Sequence, residues 1–266
     1  MPARSYLFVP GDRPERFAKA LAAGAHAVIL DLEDAVTPER KPAAREAIAG
    51  WLAAAPAPVF VRVNPAGTAW HEEDCALITA PHVRGVMVPK AEDAQDIARI
   101  AQRLRDGQEL VPLVETAAGH FAAQAIAAVP RVTRLAFGSF DFMADTGIQA
   151  DGEELDAVRT HLVLVSRHAN LQPPVDGVSL AIDDPAQLER DVRRSRRFGM
   201  GAKLCIHPKQ VAAVNAGYAP TEAEIAWARR VLDALQSGPL GAIAVDGKLV
   251  DKPIAARAEA ILRDAA

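Results

Sequence analysis

The residues Leu110-Val-Pro-Leu-Val-Glu-Thr116 join a short apolar run to a carboxylate, and this pattern recurs along the chain. Runs that are apolar throughout, rather than alternating, are typical of parallel strands that are buried on both faces. We predict eight such strands, at residues 6–9, 27–30, 59–63, 85–88, 110–114, 135–137, 177–180 and 202–206.

Alanine-rich stretches with helical spacing lie between these runs. They cover residues 14–23, 41–55, 93–104, 119–128, 153–170 and 185–198. Alternation of strands and helices indicates an α/β fold with a parallel sheet, and eight units in 266 residues favour a closed (β/α)8 TIM barrel. An open, doubly wound sheet is the structural alternative, but no G-x-G-x-x-G turn follows a strand.

The pattern changes after the eighth run. Thr221 and Glu224 form a capping-box signature at the start of a helix over 221–237. Asp246-Gly247 lies between two short apolar runs within 241–250, which predicts a two-residue hairpin, and a last helix begins near Pro253. We therefore expect a barrel catalytic domain over residues 1–235 and a C-terminal hairpin–helix lid and oligomerisation segment over residues 236–266.

Composition excludes several classes of protein. Half of the residues are hydrophobic and 24% are charged, unlike a disordered chain, and two cysteines are too few for a disulfide scaffold. The net charge of −4 and the absence of a basic stripe predict no nucleic-acid partner. The most apolar stretch, residues 20–30, is too short to span a membrane, and the N-terminus does not resemble a signal peptide, so we expect a cytoplasmic protein.

Polar groups follow six consecutive strand runs. In a (β/α)8 barrel the carboxyl ends of the strands face one site, so these groups are expected on a common rim. They are Asp12-Arg13, Asp31 with Glu33 and Asp34, Arg62 with Asn64, Lys90, Glu115 and Asp141. Arg62 lies inside an apolar run, where a charge is costly unless it is paired; it either pairs with the acids after the second strand, or binds an anion, or does both.

Glu115 and Asp141 are the sharpest pair among these groups. They follow neighbouring predicted strands, so their carboxylates can converge. Carboxylates and water are hard oxygen ligands that suit Mg²⁺, whereas Zn²⁺ would prefer clustered His and Cys. A metal together with an arginine predicts a metal-assisted reaction on a small oxyacid.

Several motifs together resemble the citrate lyase β-subunit-like proteins of the HpcH/HpaI aldolase family, over nearly the whole chain. The matching motifs are Leu-Phe-Val-Pro-Gly-Asp-Arg-Pro-Glu-Arg-Phe (7–17), Leu-Asp-Leu-Glu-Asp-Ala-Val (30–36), Lys-Pro-Ala-Ala-Arg (41–45), Val-Arg-Val-Asn-Pro (61–65), Val-Pro-Lys-Ala-Glu (88–92), Val-Glu-Thr-Ala (114–117), Gly-Ser-Phe-Asp-Phe (138–142) and Ile-His-Pro-Lys-Gln (206–210). Many relatives carry a smaller or acidic residue where this chain has Phe140, which predicts a difference in the substrate pocket.

The resemblance implies a Mg²⁺-dependent carbon–carbon lyase. Its substrate would be a 3-hydroxyacyl-CoA thioester of the malyl, citramalyl or citryl type, and its products an α-keto acid such as oxaloacetate and acetyl-CoA. Glu115 and Asp141 are then the metal ligands. The expected substrate-binding residues are Arg62 (for the keto-acid carboxylate), Glu115, Gly138 and Asp34.

The resemblance also assigns roles outside the barrel mouth. Asp251 would be a catalytic acid–base residue that enters a neighbouring subunit's site, although it could equally be a helix N-cap. A shared lid requires a homo-oligomer, and relatives suggest a trimer. Coenzyme A would contact basic residues near the first two loops, namely Arg13, Arg16, Lys19 and Lys41.

Three alternatives remain open. The first is a citrate lyase β subunit that acts on an acyl-carrier-protein thioester. The second is a pyruvate-dependent aldolase without coenzyme A, which the segment around Asp251 disfavours. The third is a non-catalytic protein that binds oxaloacetate or coenzyme A, which the complete set of expected catalytic residues disfavours.

Overall fold

The computed structural model describes residues 2–237 and 243–265 and contains a closed barrel of eight parallel strands. The strands follow one another around the barrel in chain order, and β8 pairs with β1. Their bounds are β1 Ser5–Pro10, β2 Ala27–Asp31, β3 Val59–Arg62, β4 Val83–Val88, β5 Glu109–Val114, β6 Ala136–Phe137, β7 Val175–Asp176 and β8 Ala202–Cys205. The predicted TIM barrel is confirmed.

The interior of the barrel is apolar and tightly filled. Inward-facing side chains from all eight strands form one buried cluster, which includes Tyr6, Ile29, Phe60, Met87 and Val111. Because this cluster fills the barrel, chemistry is confined to the ends of the strands.

Helices connect the strands, as the sequence predicts. In the barrel they are α1 Phe17–Ala22, α2 Lys41–Leu52, α3 His71–Cys75, α4 Ala94–Arg103, α5 Ala117–Ala127, α6 Ser139–Thr146, α7 Asp156–His168, α8 Pro185–Phe198 and α9 Pro208–Tyr218. Three of them begin at a side-chain cap: Asp93, Thr116 and Asp184 accept hydrogen bonds from the first-turn N–H groups of α4, α5 and α8. The short helices α3 and α6, and helix α9, are not predicted from the sequence.

Strand β7 lies earlier in the chain than predicted. The predicted run at 177–180 is the loop after the strand, and the strand itself is Val175–Asp176. Asp176 is a poor strand residue by pattern, but in the fold its buried carboxylate accepts a hydrogen bond from Arg159 Nε (2.9 Å) and lies 3.9 Å from Lys203 Nζ. These long-range ion pairs stabilise an acid that the local pattern disfavours.

The chain divides into two compact units, and the first of them, residues 3–217, is the barrel. The second contains residue 2 and the residues from 218 onward: α10 Glu222–Ser237, a hairpin of β9 Ile243–Val245 and β10 Lys248–Val250, and α11 Lys252–Ala265. The predicted boundary at 235 assigns α10 to the barrel domain, whereas α10 packs on α11 around Ala228, Val231, Val250 and Ala258. A lid function for residues 236–266 stays a prediction.

Local signals in the second unit are confirmed. The capping box forms, with Glu224 N–H donating to Thr221 Oγ1 (3.2 Å) and Thr221 N–H donating to Glu224 Oε2 (2.8 Å). Asp246 and Gly247 both have positive φ, as a tight hairpin turn requires. Residues 241–242, where the predicted hairpin run starts, lie outside the described residues. Among the described helices, none is long and apolar enough to cross a membrane.

Candidate active site

Charged side chains meet where the strands end at the carboxyl edge of the barrel. Asp31 and Arg62 are the last residues of β2 and β3, Glu115 directly follows β5, and Lys90 follows β4. With Glu33, Asp34 and Asp141, they form what we call the rim cluster. The groups that follow β2 to β5 contact one another as described below, whereas Asp12, after β1, pairs with Arg40 (3.1 Å).

Arg62 is clamped by Asp31. These residues are register partners on neighbouring strands, and Arg62 Nε and Nη2 donate to Oδ1 and Oδ2 of Asp31, both at 2.6 Å. Burial alone would lower the pKa of Arg62, but the Asp31 carboxylate outweighs burial and raises it, so the guanidinium stays charged. The arginine therefore pairs with the second-strand acids, as one of the predicted possibilities requires.

Glu33 and Asp34 approach the remaining side of this guanidinium. Arg62 Nη1 lies 2.9 Å from Glu33 Oε2 and 3.7 Å from Asp34 Oδ2. The first contact is an ion pair without hydrogen-bond alignment, since Oε2 has no hydrogen-bond partner among the described residues. Burial raises the pKa of Glu33 to about 7; Arg62 opposes this rise and the nearby Asp34 carboxylate adds to it. Asp34 is 54% exposed, so it borders solvent beside the arginine.

Glu115 is almost completely buried near the centre of the rim. Its Oε1 accepts a hydrogen bond from the Lys90 main-chain N–H (2.7 Å), while its Oε2 is buried with no hydrogen-bond partner among the described residues. Burial raises the pKa of Glu115 to about 8, and the neighbouring carboxylates Glu33 and Asp141 contribute to that rise. An orphaned carboxylate oxygen in a group of like charges is an arrangement that a cation would stabilise.

Asp141 lies in the first turn of α6, just beyond β6. Gly138 N–H donates to Val114 O (3.0 Å), and Phe142 N–H to Gly138 O (2.9 Å), so the turn between β6 and α6 is fixed against the end of β5. A carboxylate in the first turn is also favoured by the helix dipole. The half-buried Asp141 carboxylate lies close enough to Glu115 to raise its pKa.

The rim cluster fits a hard divalent cation. It contains five carboxylates and two cationic side chains, which leaves an excess of negative charge. Glu115 Oε2 and the Asp141 carboxylate are oxygen donors of the kind Mg²⁺ prefers. Among the residues that the structure describes, no three His, Cys, Asp or Glu side chains converge as a metal cage. The arrangement thus supplies two protein ligands at most, and Mg²⁺ commonly keeps several waters or substrate oxygens.

Lys41 has a different role from the predicted coenzyme A contact. Its ammonium is buried and donates to Leu32 O (2.8 Å), Glu33 O (2.9 Å) and Asn64 Oδ1 (2.7 Å). All three donors of the ammonium are therefore used within the protein. Lys41 fastens the loop after β2 to the end of β3, and no donor is left for a phosphate.

The other predicted coenzyme A contacts are open to solvent. Arg13, Arg16 and Lys19 are exposed on the loop after β1 and on α1. Arg16 has a single weak ion pair, 3.9 Å from Glu15. Their role in binding coenzyme A stays a prediction.

Asp251 caps a helix in the second unit. Its Oδ1 accepts a hydrogen bond from Ile254 N–H (3.1 Å) at the start of α11. This is the N-cap role considered from the sequence, and a further catalytic role in a neighbouring subunit stays a prediction.

Sequence reasoning missed a second ionic network beside α6. Arg159 on α7 donates to Asp176 Oδ1 (2.9 Å) and to Asp151 Oδ1 (2.5 Å), and Asp151 Oδ2 accepts from Ser139 Oγ (2.8 Å). Arg159, Asp176 and Asp151 line a cavity of about 200 Å³, to which Phe140 also contributes. The network braces the first turn of α6, and its only sequence signal is an arginine in an otherwise apolar helix face.

A closed (β/α)8 barrel with this carboxylate and arginine rim defines an enzyme that can hold a metal beside a small anionic substrate. The chain belongs to the HpcH/HpaI aldolase/citrate lyase family, whose model matches residues 4–208. The resemblance seen in the motifs is confirmed, as is the prediction of an enzyme of the carbon–carbon lyase class.

Two curated relatives and one solved structure illustrate the likeness. A citrate lyase subunit beta-like protein of Mycobacterium tuberculosis is 39% identical over 266 residues, covering 98% of this chain and 94% of the relative. A (3S)-malyl-CoA thioesterase of Cereibacter sphaeroides is 33% identical, covering 94% and 90%. The crystal structure of CitE from Mycobacterium tuberculosis, in complex with magnesium, acetoacetate and coenzyme A, has a TM-score of 0.86 and 36% identity, covering 99% of this chain and 98% of that one.

Proposed function

We propose that this chain is a Mg²⁺-dependent lyase that cleaves a 3-hydroxyacyl-CoA thioester of the malyl, citramalyl or citryl type. The products would be an α-keto acid and acetyl-CoA. The observation that carries the proposal is the buried Glu115 Oε2, which lacks a hydrogen-bond partner and belongs to the same carboxylate-rich cluster as Arg62. The magnesium, acetoacetate and coenzyme A in the CitE complex support this choice of ligands.

Glu115 and Asp141 would hold the metal. When bound, Mg²⁺ would supply Lewis-acid stabilisation for the substrate oxygen on which negative charge develops. Gly138 leaves room for the Glu115 carboxylate, because a Cβ at residue 138 would collide with it.

Arg62 would bind the carboxylate that remains with the keto acid. Its Nε and Nη2 donate to Asp31, whereas Nη1, 2.9 Å from Glu33 Oε2 without hydrogen-bond alignment, would be the nitrogen that donates to a substrate carboxylate. The Asp31 clamp fixes the guanidinium plane before substrate arrives, which lowers the entropy cost of binding. Asp34, exposed at 3.7 Å from Nη1, would border the bound acid.

Cleavage also requires proton transfers. A base removes the proton of the 3-hydroxyl group, the carbon–carbon bond breaks, and its electron pair passes to the thioester as an enolate, which then takes up a proton. We assign the acid–base role to Asp251 of a neighbouring subunit, so the active form would be a homo-oligomer of at least two copies, and we take it to be a trimer from the family resemblance. Exposed Arg13, Arg16 and Lys19 would contact coenzyme A.

Two further parts of the proposal concern partner and compartment. The substrate is taken to be a free coenzyme A ester rather than a thioester on an acyl carrier protein. The protein is placed in the cytoplasm, a reducing compartment in which its two buried cysteines, Cys75 and Cys205, would persist as the free thiols seen here.

The test is a panel of malyl-, citramalyl- and citryl-CoA incubated with the folded protein, with and without Mg²⁺. We expect release of an α-keto acid from at least one ester, only with Mg²⁺. Release of free coenzyme A and the hydroxy acid, without keto acid, would instead indicate a thioesterase. Ligand binding without any turnover would indicate a non-catalytic protein, and turnover confined to carrier-protein thioesters would indicate a citrate lyase subunit.

A further inference from the structure

Lys90 has an unusual backbone conformation for its residue type. It follows β4 with a φ of +45°, in the left-handed region that favours glycine or asparagine. Such strain is retained where the surrounding structure over-determines it, commonly at functional sites. Glycine or asparagine would adopt this conformation with less strain, so the backbone conformation alone does not explain why residue 90 is a lysine.

The main chain of Lys90 holds the proposed metal ligand. Its N–H donates to Glu115 Oε1 at 2.7 Å. With Oε1 fixed, the carboxylate cannot rotate freely, and Oε2 keeps one orientation. This N–H, on a residue in the left-handed conformation, thus points at the carboxylate that follows β5.

The side chain of Lys90 reaches the other half of the site. Its Nζ lies 3.1 Å from Glu33 Oε1, and Glu33 Oε2 lies 2.9 Å from Arg62 Nη1. One residue thus links Glu115 to Glu33 and, through Glu33, to Arg62.

Stability alone is a poor reason for this side chain. The Lys90 side chain is 41% exposed, so solvent screens its pair with the buried Glu33 and the pair contributes little to stability. The strained backbone at Lys90 is a further cost to the folded state.

We propose that Lys90 is a positioning residue that couples the metal half of the site to the arginine half. Its N–H orients Glu115, and its ammonium holds Glu33 beside Arg62 Nη1, so that the guanidinium is kept in place for the keto-acid carboxylate. The inference rests on the proposed function, because it assigns these two halves to metal and keto acid. Any residue at position 90 can supply the N–H that orients Glu115, whereas holding Glu33 requires a cationic side chain.

The test compares K90M, K90R and K90G with wild type, and uses K209M as the matched control. Lys209 is an exposed lysine paired with Asp183 at 2.6 Å, outside the rim cluster. Pyruvate affinity in the presence of Mg²⁺ is measured by calorimetry, Mn²⁺ affinity by electron paramagnetic resonance, and stability by thermal unfolding.

We expect K90M and K90G to weaken pyruvate binding by about tenfold or more, as loss of a charge-assisted contact would, while Mn²⁺ affinity changes by less than about twofold. K90R should restore pyruvate binding, K209M should leave it unchanged, and K90G should unfold no earlier than K90M because glycine relieves the strain.

Unchanged pyruvate affinity in K90M would overturn the inference. So would parallel loss of pyruvate and Mn²⁺ binding together with an equally low unfolding temperature in K90R, since that pattern marks a structural role. Failure of the proposed function is distinct, because wild type would then release no keto acid in the ester panel, whatever the Lys90 variants bind. A wild-type protein that binds no pyruvate would overturn the inference, because the arginine half of the site would then not hold this keto acid.

Discussion

Gly138 lies directly against Glu115. A Cβ built on Gly138 would stand 2.5 Å from Glu115 Oε2 and 2.6 Å from its Cβ, closer than real atoms approach. The φ of Gly138 is negative, so the glycine is required here by space and not by backbone conformation. Because residue 138 has no side chain, Glu115 Oε2 can occupy its observed position beside the start of α6.

Replacing Gly138 by alanine should therefore disturb the metal site. We expect G138A to weaken Mn²⁺ binding by about tenfold or more, because overpacking displaces the Glu115 carboxylate. Mn²⁺ titration and circular dichroism measure the two effects separately. The control is G50A on α2, where a Cβ meets nothing within 4 Å and alanine should stabilise the helix by about 0.5–1 kcal/mol. Unaltered Mn²⁺ affinity in G138A would show that Glu115 does not hold the metal.

The buried pair of Arg159 and Asp176 should be essential for stability. R159M leaves the carboxylates of Asp176 and Asp151 without their guanidinium, and breaking a buried ion pair costs about 3–5 kcal/mol. Urea unfolding measures the loss. R193M removes an exposed i,i+4 pair with Glu189 on α8 and should change the free energy of unfolding by about 0.5 kcal/mol or less. Equal losses in the two variants would contradict the assignment of a buried network.

Variants of Lys41 and of the exposed residues Arg16 and Lys19 distinguish a structural role from coenzyme A binding. K41M removes three buried hydrogen bonds, although Leu32 O still accepts from Asn64 Nδ2 and Glu33 O from Val36 N–H, and it should cost about 2–4 kcal/mol of unfolding free energy. R16A and K19A, at exposed positions, should leave stability unchanged and weaken coenzyme A binding in a salt-dependent way. Calorimetry with coenzyme A and thermal unfolding report the two properties. Loss of coenzyme A affinity in a fully stable K41M would restore Lys41 as a phosphate contact.

His26 should make stability depend on pH. Burial, followed by the charges of Arg4 and Arg84, lowers the pKa of His26 from its ordinary value near 6.5. The neutral ring accepts a hydrogen bond from Arg4 N–H at Nδ1 (3.0 Å). Since the folded-state pKa lies below the unfolded one, this stability is complete above about pH 6.5 and is lost as the pH falls through the folded value.

H26N retains an acceptor but does not titrate, so its free energy of unfolding should fall less steeply than that of wild type between about pH 7 and pH 5. The exposed His168 on α7 supplies the control variant, H168N. Identical slopes for wild type and H26N would show that His26 does not contribute.

The sequence predicts the parts of the site that depend on position along a strand. Arg62 stands out as a charge inside an apolar run, and Glu115 as an acid directly after one. Both can therefore be placed on the rim from the sequence alone. The barrel is predictable from the same runs, because a continuous apolar run indicates a buried parallel strand without knowledge of the strands beside it.

Features that depend on contacts between distant residues are not predictable in this way. Strand β7 contains Asp176, whose burial is tolerated only because Arg159 and Lys203 lie beside it. Lys41 is a basic residue by type, and only the fold shows that its ammonium is already saturated. The contribution of Lys90 lies in a backbone angle and an N–H direction, neither of which a residue pattern encodes.

The central claim is that Glu115 and Asp141 hold one divalent cation at the barrel rim. Mn²⁺ titration followed by electron paramagnetic resonance tests it in wild type, E115Q and D141N. D145N serves as the control, because Asp145 is an exposed carboxylate on the same helix α6. We expect one tightly bound Mn²⁺ per chain in wild type and in D145N, and its loss in E115Q and in D141N. A wild-type chain that binds no Mn²⁺, or an E115Q variant that binds it as tightly as wild type, would contradict the account.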